Sequence, residues 1–154
     1  MQLSPVLTQI TPGGDDGWAV FYEARRRKAA GAPVIELTIG EHDIRTHPKI
    51  LEAMHSAAKA GHTGYAAVPG VTALKKAVAD RVQAATGVPT SVDNVLITPG
   101  GQSALFAAHL AAARPGEPAL YLDPYYATYP GTIRAIGAKA VAIPCDPAKG
   151  FQPD

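Results

Sequence analysis

The clearest pattern along the chain is helical. Val71, Leu74, Val78, Val82 and Ala85 recur every three or four residues, setting one apolar face on a helix that Gly87 and Pro89 end. Ile50, Leu51, Met54 and Ala58 predict a second such helix, opened by Pro48 and reaching Ala60. Trp18, Phe21, Tyr22 and Arg25 make a shorter stripe. Its helix is expected to start near Asp15 and Asp16, where acidic side chains meet the positive helix end, and to stop at Gly31. Residues 1–14, with two prolines and two glycines, read as an extended arm.

Short apolar runs punctuate these helices. Val34–Ile39 predicts a strand closed by Gly40. Asn94–Thr98 predicts another, followed by the turn Gly100-Gly101 and an apolar helix from Gln102 to Ala113. Ala119–Leu122 is a third strand, Tyr126–Ile136 a helix ended by Gly137, and Lys139–Ile143 a fourth strand. Brief apolar strands alternating with helices imply an α/β fold, mainly a parallel sheet covered by helices on both faces.

Composition narrows the function classes. The chain has 154 residues, 47% of them hydrophobic, enough for one domain with a real core. No run approaches the ~18 apolar residues of a membrane span. A formal charge of +1 gives no electrostatic case for nucleic acid or an acidic membrane. A single cysteine, Cys145, excludes an internal disulfide framework and a multi-cysteine zinc site, and suits a reduced, cytoplasmic setting. The start Met1-Gln2-Leu3-Ser4-Pro5 has no basic or apolar leader pattern. Fifteen glycines and fourteen prolines suggest many turns, as in an enzyme built around a site.

Three stretches could carry chemistry. At Thr98-Pro99-Gly100-Gly101-Gln102-Ser103 a strand runs through two glycines into a helix. Glycines let backbone approach a ligand, and the helix start offers unpaired N–H groups to a phosphate. The same glycines could merely make the turn. Asp123-Pro124-Tyr125-Tyr126-Ala127-Thr128-Tyr129-Pro130 lies past a strand's C-terminal end, where open parallel sheets bind ligands. Its tyrosines could stack on a flat ring or pack on the core. Gly64-Tyr65 sits in a glycine-flanked loop, either a placed hydroxyl or an ordinary loop tyrosine. Rival motifs fail: there is no G-x-G-x-x-G and no Walker lysine. Ser103 lacks the second glycine of a hydrolase elbow, and Ser56-Ala57-Ala58-Lys59 lies mid-helix without companion motifs. His42, His47, His55, His62 and His109 show no metal-ligand spacing. His109 is expected to be buried or partnered, and His42 and His47 flank Asp43 with a conceivable catalytic role.

In their order, these motifs resemble the pyridoxal-phosphate-dependent aminotransferases of classes I and II, the aspartate-aminotransferase-like fold. The resemblance rests on Leu37-Thr38-Ile39-Gly40-Glu41-His42-Asp43, then on Tyr65 with Gly70 and Leu74-Lys75. It continues through Ile97–Leu105, Pro115-Gly116, Asp123–Pro130 and Gly150-Phe151-Gln152-Pro153-Asp154. It implies that Gly100, Gly101 and Gln102 form the cofactor-phosphate turn and that Tyr126 stacks on the pyridine ring. It implies that Tyr65 reaches the phosphate of the other subunit's cofactor, hence a homodimer, and that Gly40 lies near the substrate carboxylate. The implied cofactor is pyridoxal 5'-phosphate, and the implied substrates are an amino acid and a 2-oxo acid. His42 stands where the family usually has proline.

The resemblance also implies residues without a counterpart here: an asparagine and an aspartate that contact the cofactor, the Schiff-base lysine, and an arginine for the substrate carboxylate. None of the seven lysines lies in the family's lysine motif. The chain is therefore expected to be an N-terminal portion, inactive by itself. Residues 1–47 would contribute to the smaller domain and 48–154 would begin the cofactor-binding domain. Two alternatives stand beside this one: an inert binding or assembly module of the same fold, and a β-lyase or synthase using the same cofactor.

Overall fold

Two of the four expected strands pair in the computed structural model, which describes residues 2–14 and 17–153. β1 (Pro118–Asp123) and β2 (Lys139–Pro144) run parallel, with Leu120 opposite Val141 and Leu122 opposite Ile143. The ladder opens where Lys139 N–H donates to the Glu117 carbonyl and closes where Cys145 N–H donates to that of Asp123, both at 2.8 Å. Helix α6 (Tyr129–Ala135) connects the two strands and packs on both. It was expected to start at Tyr126. Pro130 fits only the first turn, because deeper in a helix its ring would meet the carbonyl of Tyr126.

The core lies between α6 and the sheet. Ile133 is 1% exposed, and it packs with Ile136 and Ala138 against Ala119, Tyr121 and Ala140. Burying one such side chain contributes about 1.5–3 kcal/mol. Alternation along β1 turns Leu120 and Leu122 to the opposite face, where they are exposed. Among the described residues, α6 covers one face of the sheet; the expectation of helices on both faces is met on that one.

The described chain divides into two compact units, residues up to Thr38 with those from Pro99, and Ile39–Thr98. In the first, the N-terminal arm is not wholly extended: α1 (Pro5–Ile10) forms because Ser4 Oγ accepts from Val6 N–H (3.4 Å) and Pro5 occupies the first turn. Arg134 on α6 donates to the Ile10 carbonyl (2.8 Å), and α1 packs on α6. Helix α2 (Ala19–Ala29) carries the expected stripe: the Trp18 and Phe21 rings are 5.7 Å apart, and Arg25 lies 4.8 Å from the Phe21 centroid. The expected start at Asp15 and Asp16 lies outside the described residues. Val34–Ile39 alternates as a strand would but forms no ladder, since no described strand runs beside it. Glu36 is held inward by Arg25 (2.8 Å), leaving Ile35 and Leu37 exposed.

The second unit carries α3 (Pro48–Lys59) and α4 (Thr72–Thr86), close to the expected spans. Gly87, at φ 73°, ends α4. Ala79 packs inward at 2% exposure, while Ile50, Leu51 and Met54 of α3 stay exposed. The strand expected at Asn94–Thr98 is instead a 3₁₀ turn at Val92–Asn94, capped by Ser91, then a stretch that joins no described β-ladder. Ile97 N–H donates to the Pro69 carbonyl (3.0 Å), and there the backbone of Gly70 meets the Ile97 side chain. A Cβ on Gly70 would lie 2.5 Å from Ile97 Cγ1, and its φ is +103°.

Candidate functional site

The glycine turn opens helix α5 (Gly101–Ala112). Gly100 is its N-cap, at φ 86° and ψ 163°, a conformation essentially reserved for glycine. It brings no side chain to cap the helix, so the first-turn N–H groups of Gly101, Gln102 and Ser103 have no side-chain acceptor at the cap. A Cβ on Gly101 would meet nothing within 4 Å. Among the described residues, no atom stands where a Gly101 Cβ would point, beside first-turn N–H donors at the positive end of a twelve-residue helix. That donor set fits a phosphate dianion.

The Gln102 side chain does something else. Its amide oxygen accepts from the Thr128 hydroxyl (2.7 Å), and its amide nitrogen donates to the Thr132 hydroxyl. Thr132 in turn donates to the Thr128 carbonyl (2.9 Å). This closed network ties the first turn of α5 to the start of α6, with Thr132 buried at 6% exposure. Gln102 can therefore offer a phosphate its backbone N–H, while its side chain orients the turn. The network joins residues 26 and 30 positions apart, beyond the reach of any local sequence pattern.

The tyrosines beyond β1 divide in the same way. Tyr125 packs edge-to-face on Tyr121, with centroids 4.9 Å apart and planes at 80°. Tyr129 begins α6 and lies 5.9 Å from Tyr126. Tyr126 is 57% exposed and can present its ring to a ligand. Two open cavities flank the segment. One, of about 890 Å³, is lined by Gln102, Ser103, Tyr125 and Thr128, together with Ile10 and Arg134. The other, of about 630 Å³, is lined by Tyr121, Tyr125, Tyr126, Tyr129 and His109. Tyr125 lines both, and Gln102 bonds two residues from Tyr126, so the structure brings these two elements together. His109 is half-buried, and its Nδ1 has no hydrogen-bond partner among the described residues.

Gly40 and Tyr65 belong to the other unit. Tyr65 is fully exposed in the loop between α3 and α4. Gly40 precedes an exposed loop in which His42 Nδ1 accepts from Ile44 N–H (3.1 Å) and His47 Nδ1 from Lys49 N–H (3.2 Å).

The rival chemistries lack their geometry. Ser103 Oγ donates to the Pro99 carbonyl (3.1 Å) rather than to a base. Cys145 is buried, with Sγ 3.7 Å from the Ile143 carbonyl. Among the described residues no group of three His, Cys, Asp or Glu side chains could hold a metal. The shifted carboxylates line neither cavity. Hydrogen bonds from Arg26 and Arg27 hold Glu23 down to about 2, and one from Arg25, aided by Lys28 and Thr38, lowers Glu36.

The aminotransferase class I and II family matches residues 32–154. An arginine–pyruvate transaminase of Pseudomonas aeruginosa is 30% identical over 152 residues, 99% of this chain and 39% of that protein. A probable aspartate/prephenate aminotransferase of Thermus aquaticus is 34% identical over 136 residues, 88% of this chain and 36% of that protein. The structure of Thermus thermophilus aspartate aminotransferase with maleate superposes with a TM-score of 0.90 at 30% identity, covering 100% of this chain and 40% of that one. The chain thus spans about two fifths of the length of these relatives. With its sheet, its glycine turn and this similarity along nearly its whole length, the chain belongs to the class I and II aminotransferase family.

Proposed function

We propose that the protein carrying this chain is a pyridoxal-phosphate-dependent aminotransferase that moves an amino group between an amino acid and a 2-oxo acid. The observation that carries the proposal is the glycine turn that opens α5, where Gly100 supplies no side-chain cap to the first-turn N–H groups, in a chain of this family. The backbone N–H groups of Gly101 and Gln102 bind the phosphate, with Ser103 N–H beside them. The Gln102–Thr128–Thr132 network holds that turn against α6. Tyr126 stacks on the cofactor ring and limits its tilt. Gly40 lies by the substrate carboxylate, and Tyr65 donates to the phosphate of the partner's cofactor in a cytoplasmic homodimer. When bound, the cofactor supplies the electron sink that makes the substrate Cα proton removable.

In the same reading, residues 1–47 contribute to the smaller domain and 48–154 begin the cofactor-binding domain. The proton-moving lysine is none of the seven present, so residues 1–154 alone should not transaminate. The test uses full-length protein loaded with pyridoxal phosphate. Mixed with a panel of amino acids, it should release the matching 2-oxo acid and leave pyridoxamine phosphate. Release of ammonia with a 2-oxo acid would indicate a β-lyase. No turnover of any amino acid by cofactor-loaded protein would favour an inert module and defeat the proposal.

A further inference from the structure

The loop after Gly40 is held at two places by imidazoles acting as acceptors. His42 Nδ1 takes the N–H of Ile44 (3.1 Å), and His47 Nδ1 takes that of Lys49 (3.2 Å), capping α3. An accepting Nδ1 must be unprotonated, which puts the ring proton on Nε2. Imidazolium donates from both nitrogens and accepts at neither. Protonation therefore removes both bonds. At His47 it also places a positive charge on the N-terminus of α3, whose dipole disfavours it. At His42 the outcome differs, because Asp43 Oδ1 lies 3.5 Å from the same Nδ1. The protonated ring can turn from accepting the Ile44 N–H to donating to the Asp43 carboxylate.

We propose that residues 41–49 form a proton-operated switch, ordered when His42 and His47 are neutral and rearranged around a His42–Asp43 ion pair when both are charged. Asp43 is the acid at ion-pair distance from His42 among the described residues; Glu41 and Arg45 flank it along the loop, and Lys49 and Glu52 lie in the first turns of α3. Both rings are exposed, so solvent protons reach them directly. The sign follows from the bonds. The neutral rings make the acceptor bonds, so the ordered loop is favoured at higher pH and lost on acidification. The switch follows Gly40 in the chain, but it rests on the loop's own hydrogen bonds and not on the proposed catalytic reading.

Amide hydrogen exchange of the full-length protein, read by mass spectrometry on peptides covering 41–52, tests it. After correction for intrinsic exchange, protection of this segment should fall roughly fivefold between pH 8 and pH 5, as expected for a lost cap. A His42→Asn, His47→Asn double variant keeps an acceptor at each position without a titrating ring. It should hold its protection across the same range. Asp43→Asn should leave the loss at α3 intact and remove the low-pH arrangement at 42–44. Protection that does not change with pH in the wild type, or that falls equally in the double variant, would overturn the proposal. Neither readout involves transamination, so an inactive protein leaves the test standing.

Discussion

Replacing Gly101 with alanine separates a phosphate turn from a plain one. Gly101 is the first residue of α5, and a Cβ there meets nothing within 4 Å. Among the described residues the methyl group clashes with nothing, and it narrows the unfolded ensemble. Stability should stay level or rise by about 0.4–1 kcal/mol. Cβ atoms tilt toward a helix's N-terminus, so this methyl points into the space a phosphate would enter. Displacing the phosphate from one charge-assisted N–H bond costs about 1.5–3 kcal/mol, or roughly ten- to a hundredfold in affinity. Gly100→Ala should behave differently. At φ 86° and ψ 163° an alanine is strained by about 1–3 kcal/mol, so stability should fall even though its Cβ has room. The assay is urea denaturation of each full-length apo-protein beside titration with pyridoxal phosphate. A Gly101→Ala protein that binds the cofactor like wild type would refute the placement of phosphate on this turn.

Four further outcomes are expected. Tyr126→Ala should weaken cofactor binding roughly three- to tenfold, the worth of an aromatic stack, while Tyr129→Ala acts on stability; equal losses in a cofactor titration would remove the distinction. On the proposed role of Tyr65, Tyr65→Phe deletes one hydroxyl donor to a charged acceptor and should lower cofactor affinity in the full-length protein by about 1.5–3 kcal/mol; unchanged affinity would free Tyr65 from that role. Gly70→Ala should cost about 2–4 kcal/mol in urea denaturation, since its Cβ would lie 2.5 Å from Ile97 Cγ1 at φ +103°, and adding Ile97→Ala should recover part of it. Glu23, held down to about 2 by Arg26 and Arg27, supports α2 above the ordinary carboxylate pKa of 4.5 and loses that support as pH falls from there toward 2. Glu23→Gln should flatten this limb of an acid denaturation curve, and an unaltered limb would contradict the coupling.

Helices were the most legible part of the fold, because their signals are local. Pro48 and Gly87 mark one start and one end, and α3 and α4 lie within a residue or two of the expected spans. The β1–α6–β2 unit was legible for the same reason, apart from the later start that Pro130 imposes on α6. Strands depend on partners that a local pattern does not reveal. Val34–Ile39 and Val95–Thr98 have the right apolar residues but pair with no described strand. The short helix α1 was hidden by the arm's prolines and glycines, although Ser4-Pro5 is a helix start.

At the candidate site, the glycine turn and the tyrosine segment were both legible as motifs, and Gly100 has the backbone conformation that explains its glycine. The roles of individual atoms were not. Gln102 reads as a polar side chain for a ligand, yet Thr128 and Thr132 engage both ends of its amide. That pairing spans 26 and 30 residues, and no short spacing encodes it. His42 and His47, flanking Asp43, read as histidines with a conceivable catalytic role; their work as backbone acceptors emerges only from the loop's geometry.

On the proposed reading, the start of α5 holds the phosphate of a pyridoxal cofactor in an aminotransferase. A crystal structure of the full-length protein grown with pyridoxal phosphate tests it most directly. The phosphate should accept from the N–H groups of Gly101 and Gln102 at about 2.7–3.2 Å, with Tyr126 stacked on the ring and the Gln102–Thr128–Thr132 network intact. A cofactor phosphate seated elsewhere, with the α5 turn facing only solvent, would contradict the account.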